Sequence, residues 1–69
     1  MEKEFELKGD YIKLEQLLKV VGILDKGGQA KVYLASNPVD VNGHSENRRG
    51  AKIHKGDVVK AEDLVIKVI

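Results

Sequence analysis

The spacing of apolar residues changes period twice along this 69-residue chain, which restricts it to a mixed architecture. Phe5 and Leu7 alternate with charged residues, the pattern of a short half-buried strand, and Gly9-Asp10 supplies its exit turn. Leu14, Leu17, Leu18 and Val21 then recur at helical spacing, while Lys13, Glu15, Gln16 and Lys19 fall off that stripe. The spacing predicts a first helix over residues 14–21, ended by Gly22 in a left-handed conformation. A second helix is expected to begin at Gly27-Gly28, because Ala30, Tyr33 and Leu34 share a face and Asn37-Pro38 stops the pattern. The short link between the helices implies that they lie close together.

After Pro38 the period returns to two. Val39 and Val41 point one way and Asp40 the other, and Asn42-Gly43 suits a tight turn that needs two residues tolerant of positive φ. Residues 39–45 therefore read as a hairpin. Glu46 to Gly50 has no periodicity and reads as a loop exposing Arg48 and Arg49. Ala51 and Ile53 suggest a brief strand, Lys55-Gly56-Asp57 a turn, Val58-Val59 another strand, and Leu64, Ile66 and Val68 a closing alternating strand. The expected fold is α+β: two short helices packed on a small, mostly antiparallel β-sheet, in a single domain over residues 1–69.

A chain of this length has room for one small core and none for a cleft between two lobes. At 42% hydrophobic and 33% charged residues, with no low-complexity tract, it has the composition of a folded domain. It has no cysteine, so neither disulfides nor thiolate metal sites can staple it, and its stability should be modest. No apolar run approaches the ~20 residues that cross a bilayer, and the acidic start is unlike a signal peptide, so a cytoplasmic location is expected. Materials for catalysis are scarce. His44 and Ser45 are strand neighbours and face opposite ways, His44 and His54 lack metal-ligand spacing, and the carboxylates are scattered over polar faces. Neither enzyme activity nor a cofactor, metal or small-molecule substrate is expected. The stretch from Gly22 to Gln29 lacks the Gly-Lys-Ser/Thr ending of a nucleotide-binding P-loop.

The net charge of +1 hides an uneven distribution. Residues 1–25 carry four lysines against six acids, and residues 56–69 two lysines against three acids. Residues 26–55 carry Lys26, Lys31, Arg48, Arg49, Lys52 and Lys55 against only Asp40 and Glu46. A positive middle segment attracts a polyanion.

The order of motifs is distinctive. Tyr11-Ile12-Lys13-Leu14-Glu15-Gln16-Leu17-Leu18-Lys19 precedes Gly22; Gly27-Gly28-Gln29-Ala30-Lys31 leads to Tyr33-Leu34; then follow Val39-Asp40-Val41-Asn42-Gly43, Asn47-Arg48-Arg49-Gly50 and Lys55-Gly56-Asp57-Val58-Val59. From about Tyr11 to Val59 this resembles the alpha-L RNA-binding domain family, of the ribosomal protein S-four type, and within it the stand-alone bacterial YaaA-like members. The resemblance implies an RNA-binding module in which the second helix and the loop joining the strands grip structured RNA, with a role in ribosome maturation. One position departs from the pattern: where many members have Ser-Arg at the start of the second helix, this chain has Lys26-Gly27, so the charge has moved by one residue.

The candidate RNA contacts are accordingly Lys13, Lys26, Gly27, Gly28, Lys31, Arg48, Arg49, Lys52 and Lys55. Gly27 and Gly28 would expose helix N–H groups to a phosphate, and the arginine forks can each donate two hydrogen bonds to one. With Tyr33 on the apolar face, base stacking is weakly supported, and folded RNA read through backbone and shape is the expected partner, with ribosomal RNA bound by a monomer as the specific expectation. A flexible turn at Gly27-Gly28 and a merely solvated basic loop are the blander readings. The rival functions are a protein-interaction module that uses an edge strand, and a fragment of a larger RNA-modifying enzyme whose catalytic region lies beyond Ile69.

Overall fold

The computed structural model describes residues 1–25 and 29–69. Lys26, Gly27 and Gly28, and with them the expected start of the second helix, lie outside the described residues. The elements run β1 (Glu2–Phe5), β2 (Ile12–Lys13), α1 (Leu14–Val20), α2 (Ala30–Ser36), β3 (Val39–Val41), β4 (His44–Glu46), β5 (Lys52–Ile53), β6 (Val58–Ala61) and β7 (Leu64–Val68). The fold is α+β, with a five-stranded sheet ordered β1-β7-β6-β3-β4 and a separate two-stranded ladder of β2 and β5. All pairings are antiparallel except β1 with β7.

Helix α1 follows from its stripe. Leu14, Leu17 and Leu18 are fully buried and Val21 packs against them from the helix end. The end itself is a Schellman motif: Gly22 sits at φ 89°, its N–H bonds to Lys19 C=O at 3.1 Å, and the Ile23 N–H bonds to Leu18 C=O at 2.9 Å. In α2, Ala30 and Leu34 are fully buried, while the Tyr33 ring is half-buried against the core. The sheet contributes Val39, Val59, Ile66 and Val68 to the same apolar cluster. Because the helices are only two turns long, packing rather than helix propensity holds them. Truncating Leu17 to Ala should therefore cost about 2–5 kcal/mol, a large share of a small domain's stability.

The hairpin at Asn42-Gly43 forms as its residues dictate. Both have positive φ (54° and 86°), and Val41 pairs with His44 across them. Glu46, expected in the loop, closes β4 and pairs with Val39, and two further features differ from the sequence expectation. The first strand covers Glu2–Phe5, and Leu7, although buried, lies past its end, with its N–H bonded to Ile69 C=O at 2.8 Å. The reason is its partner: β1 lies parallel to the last strand, a long-range pairing that local alternation cannot reveal. The other difference is β2, a strand of two residues immediately before α1, too short to show any period.

Candidate nucleic-acid interface

The β2–β5 ladder is small, and its two faces differ in character. Ile12 pairs with Ile53 and Lys13 with Lys52. Ile53 is buried and Ile12 packs against the core, so the alternation of a strand turns Lys13 and Lys52 outward, where both are exposed. Like charges directly opposite each other on a ladder oppose pairing by roughly 0.2–1 kcal/mol. Among the described residues neither lysine has a carboxylate within ion-pair distance. The lysine pairing by itself works against folding, whereas an anion beside the two ammonium groups would relieve the repulsion.

The same face carries two rings. Tyr11 precedes Ile12 and His54 follows Ile53, and their ring centroids are 6.3 Å apart with planes tilted by 51°. The Lys52 ammonium lies 4.9 Å from the centre of the Tyr11 ring. A cation–π contact at an exposed site is worth about 0.5–1 kcal/mol, enough to offset part of the repulsion from Lys13.

The loop after β4 is tied to this ladder through the first turn of α1. Leu14 N–H donates to Ala51 C=O at 2.8 Å and Glu15 N–H to Arg49 C=O at 3.0 Å. Loop carbonyls thus satisfy N–H groups that a helix start usually leaves open. The Lys13 N–H reaches Gln16 Oε1 at 3.4 Å, a long contact that helps close the entry. Arg49 consequently sits beside α1, with Arg48 one residue earlier in the same loop.

Their charges are partly compensated. Glu46 accepts from Arg48 Nε at 3.1 Å, from Arg48 Nη2 at 3.2 Å and from the Arg48 backbone N–H at 3.0 Å. These bonds, with the guanidinium charge, hold the Glu46 carboxyl below the usual carboxylate range and push Arg48 further up. Arg49 Nε lies 3.9 Å from Glu15 Oε2, a loose pair. The arginine side chains remain 77% and 56% exposed, so each keeps donors facing solvent. Counting charge along the sequence overlooked Glu15, which lies outside the positive segment but folds against it.

Lys55 is exposed in the turn between β5 and β6, close in sequence to the ladder. Lys31 is exposed on α2, and no hydrogen bond or ion pair among the described residues joins it to the ladder group. Lys26 and the Gly27-Gly28 amides lie outside the described residues. The structure therefore sets Lys13 and Lys52 opposite each other on the ladder, ties the loop that carries Arg48 and Arg49 to the start of α1, and holds the Arg48 side chain on Glu46 of β4. Sequence reasoning missed Tyr11 as a member of this group. The signal was present: Tyr11 and Lys13 are two apart, as are Lys52 and His54, so each pair shares a strand face.

Among the described residues, no three His, Asp or Glu side chains gather as metal ligands. Among these same residues no helix is long and apolar enough to cross a membrane.

The chain belongs to the S4 domain family, whose profile matches residues 5–69. It is 39% identical over 62 residues to the Bacillus subtilis protein named "Probable ribosome maturation protein RlbA", covering 90% of this chain and 87% of that one. It is 34% identical over 62 residues to the Escherichia coli protein named "Putative RNA-binding protein YbcJ", covering 90% and 89% respectively.

Proposed function

We propose that this protein binds structured RNA, and ribosomal RNA during ribosome maturation in particular, through the outward face of the β2–β5 ladder and the loop that follows β4. The observation that carries the reading is the pairing of Lys13 with Lys52, two exposed cations held opposite each other with no carboxylate partner among the described residues. Phosphates of a folded RNA supply the missing counter-charge, and each contact releases counterions from the RNA. Arg49 and Arg48 flank the pair, Lys55 extends it along the β5–β6 turn, and Lys31 on α2 adds a further contact; Lys26 and the Gly27-Gly28 amides, which lie outside the described residues, stay candidate contacts on the sequence alone. The names of the two relatives support both halves of the reading, RNA as ligand and ribosome maturation as setting.

The role is that of a binder and not of an enzyme, with no cofactor and no small-molecule substrate. It acts as a monomer in the cytoplasm. Ultraviolet cross-linking in cells, followed by sequencing of the RNA and mapping of the modified peptides, tests this directly. Ribosomal RNA joined to the segments around residues 11–13 and 48–55 is the expected outcome. Cross-links confined to β1 and β7, or no enrichment of ribosomal RNA, would contradict it.

A further inference from the structure

The two tyrosines are placed differently. Tyr33 packs its ring against the core and its hydroxyl donates to Glu62 Oε2 at 2.7 Å. Tyr11 is 42% exposed, and its hydroxyl makes no hydrogen bond among the described residues. A large ring left at the surface, beside lysines that lack carboxylate partners among the described residues, contributes little to the core.

We infer that Tyr11 is a stacking platform for one unpaired RNA base, with Lys13 and Lys52 holding the phosphates beside that base. The inference rests on the RNA-binding reading above and deepens it, because it specifies what part of the RNA reaches the face. A paired A-form helix shows this surface only its backbone and groove edges, whereas a loop, bulge or frayed end can present the flat face of a base. Lys52, now 4.9 Å from the ring centre, is positioned to turn toward a phosphate when a base takes its place over the ring. His54, its ring tilted by 51° at 6.3 Å from Tyr11, is a second ring beside the platform. Stacking of this kind tolerates any base, so it selects for unpaired structure and not for sequence.

The test uses an RNA hairpin with an unpaired loop and the blunt duplex of its stem, each titrated at low salt with the unmodified protein, Tyr11→Phe and Tyr11→Leu. Tyr11→Phe keeps a π-face and should bind the hairpin as the unmodified protein does. Tyr11→Leu keeps apolar cover over the ladder but no π-face, and should lose roughly 5- to 150-fold on the hairpin, the range of base–aromatic stacking, with its salt slope and its duplex binding unchanged. A direct readout accompanies this. The chain has two tyrosines and no tryptophan, so in Tyr33→Phe the emission reports Tyr11 alone and should be quenched by the hairpin and not by the duplex. Equal hairpin binding by Tyr11→Leu and the unmodified protein, with no quenching, overturns the platform while leaving phosphate binding intact. Failure of the unmodified protein to bind either RNA overturns the parent reading and this inference with it.

Discussion

Asn42 and Asp57 join two turns: the Asn42 side-chain amide donates to Asp57 Oδ1 at 2.9 Å, and Asn42 Oδ1 accepts the Val58 N–H at 2.8 Å. Asp57 Oδ2 also accepts the His54 N–H at 2.7 Å. The β3–β4 turn is thereby clamped to the β5–β6 turn, and β5 is held where it can pair with β2. The Val-Asn-Gly and Gly-Asp motifs act on the candidate interface indirectly, by positioning Lys52 and His54.

Asn42→Ala should therefore lower stability without removing an RNA contact. Losing a bond to a carboxylate and one to a backbone N–H at a partly exposed site should cost about 1–2 kcal/mol, or a drop of roughly 4–16 °C in Tm for a domain of this size. Circular dichroism melts check the loss, and RNA affinity measured well below the melt should be nearly unchanged.

The same clamp sets a dependence on pH. Burial works against the charged form of Asp57, but hydrogen bonds from the His54 N–H and the Asn42 amide, with the nearby His54 imidazole, outweigh it and bring its pKa below the ordinary value. Glu46 is lowered as well, chiefly by its side-chain bond to Arg48. A carboxyl whose pKa is depressed on folding stabilises the fold above its unfolded value, and that contribution is lost as pH falls through the folded value. Urea unfolding midpoints should thus fall as pH drops below about 4. Asp57→Asn should be less stable at neutral pH and should show a flatter acid limb.

Glu46 also competes for the interface. Its carboxylate occupies one edge of the Arg48 guanidinium, so Glu46→Gln should tighten RNA binding and steepen the salt slope by up to about one unit. For the same reason Arg48→Ala should weaken binding less than Lys52→Ala, and the Arg48→Ala/Arg49→Ala pair should reduce the slope by at most about two units. Titrations at several salt concentrations rank these variants.

Tyr33 provides a check on the core independent of RNA. Burial of the ring, then the hydrogen bond to Glu62, then the Glu62 charge push its pKa up to about 12. In Tyr11→Phe the one remaining tyrosine should ionise near that value in an ultraviolet absorbance titration, and adding Glu62→Gln should lower it. Because the neutral form is favoured on folding, the associated stability is present below the ordinary tyrosine value near 10 and is lost as pH rises through about 12.

The elements legible in the sequence were those whose signal is local. The Leu14, Leu17, Leu18 stripe, the Gly22 terminator and the Asn42-Gly43 turn each involve neighbours within a few residues, and each forms as expected. What was not legible depends on contacts between distant segments. The parallel match of β1 with β7 and the two-residue ladder of β2 with β5 exist only after the chain has closed on itself. The interface shows the same division. Lys13, Arg48, Arg49 and Lys52 could be named as cations, but the Lys13–Lys52 pairing, the Tyr11 ring under Lys52 and the Glu15 and Glu46 counter-charges arise from register and turn geometry.

The most direct test is the salt dependence of RNA binding by Lys13→Ala/Lys52→Ala beside the unmodified protein, with the unfolding free energy of each measured in parallel. Relief of like-charge repulsion and loss of the cation–π contact nearly cancel, so stability should stay within about 1 kcal/mol. Affinity should fall and the slope of log K against log salt should shrink by about 1.4–1.8 units, two phosphate contacts' worth. An unchanged slope and affinity in a stably folded double variant would show that this face of the ladder does not meet RNA.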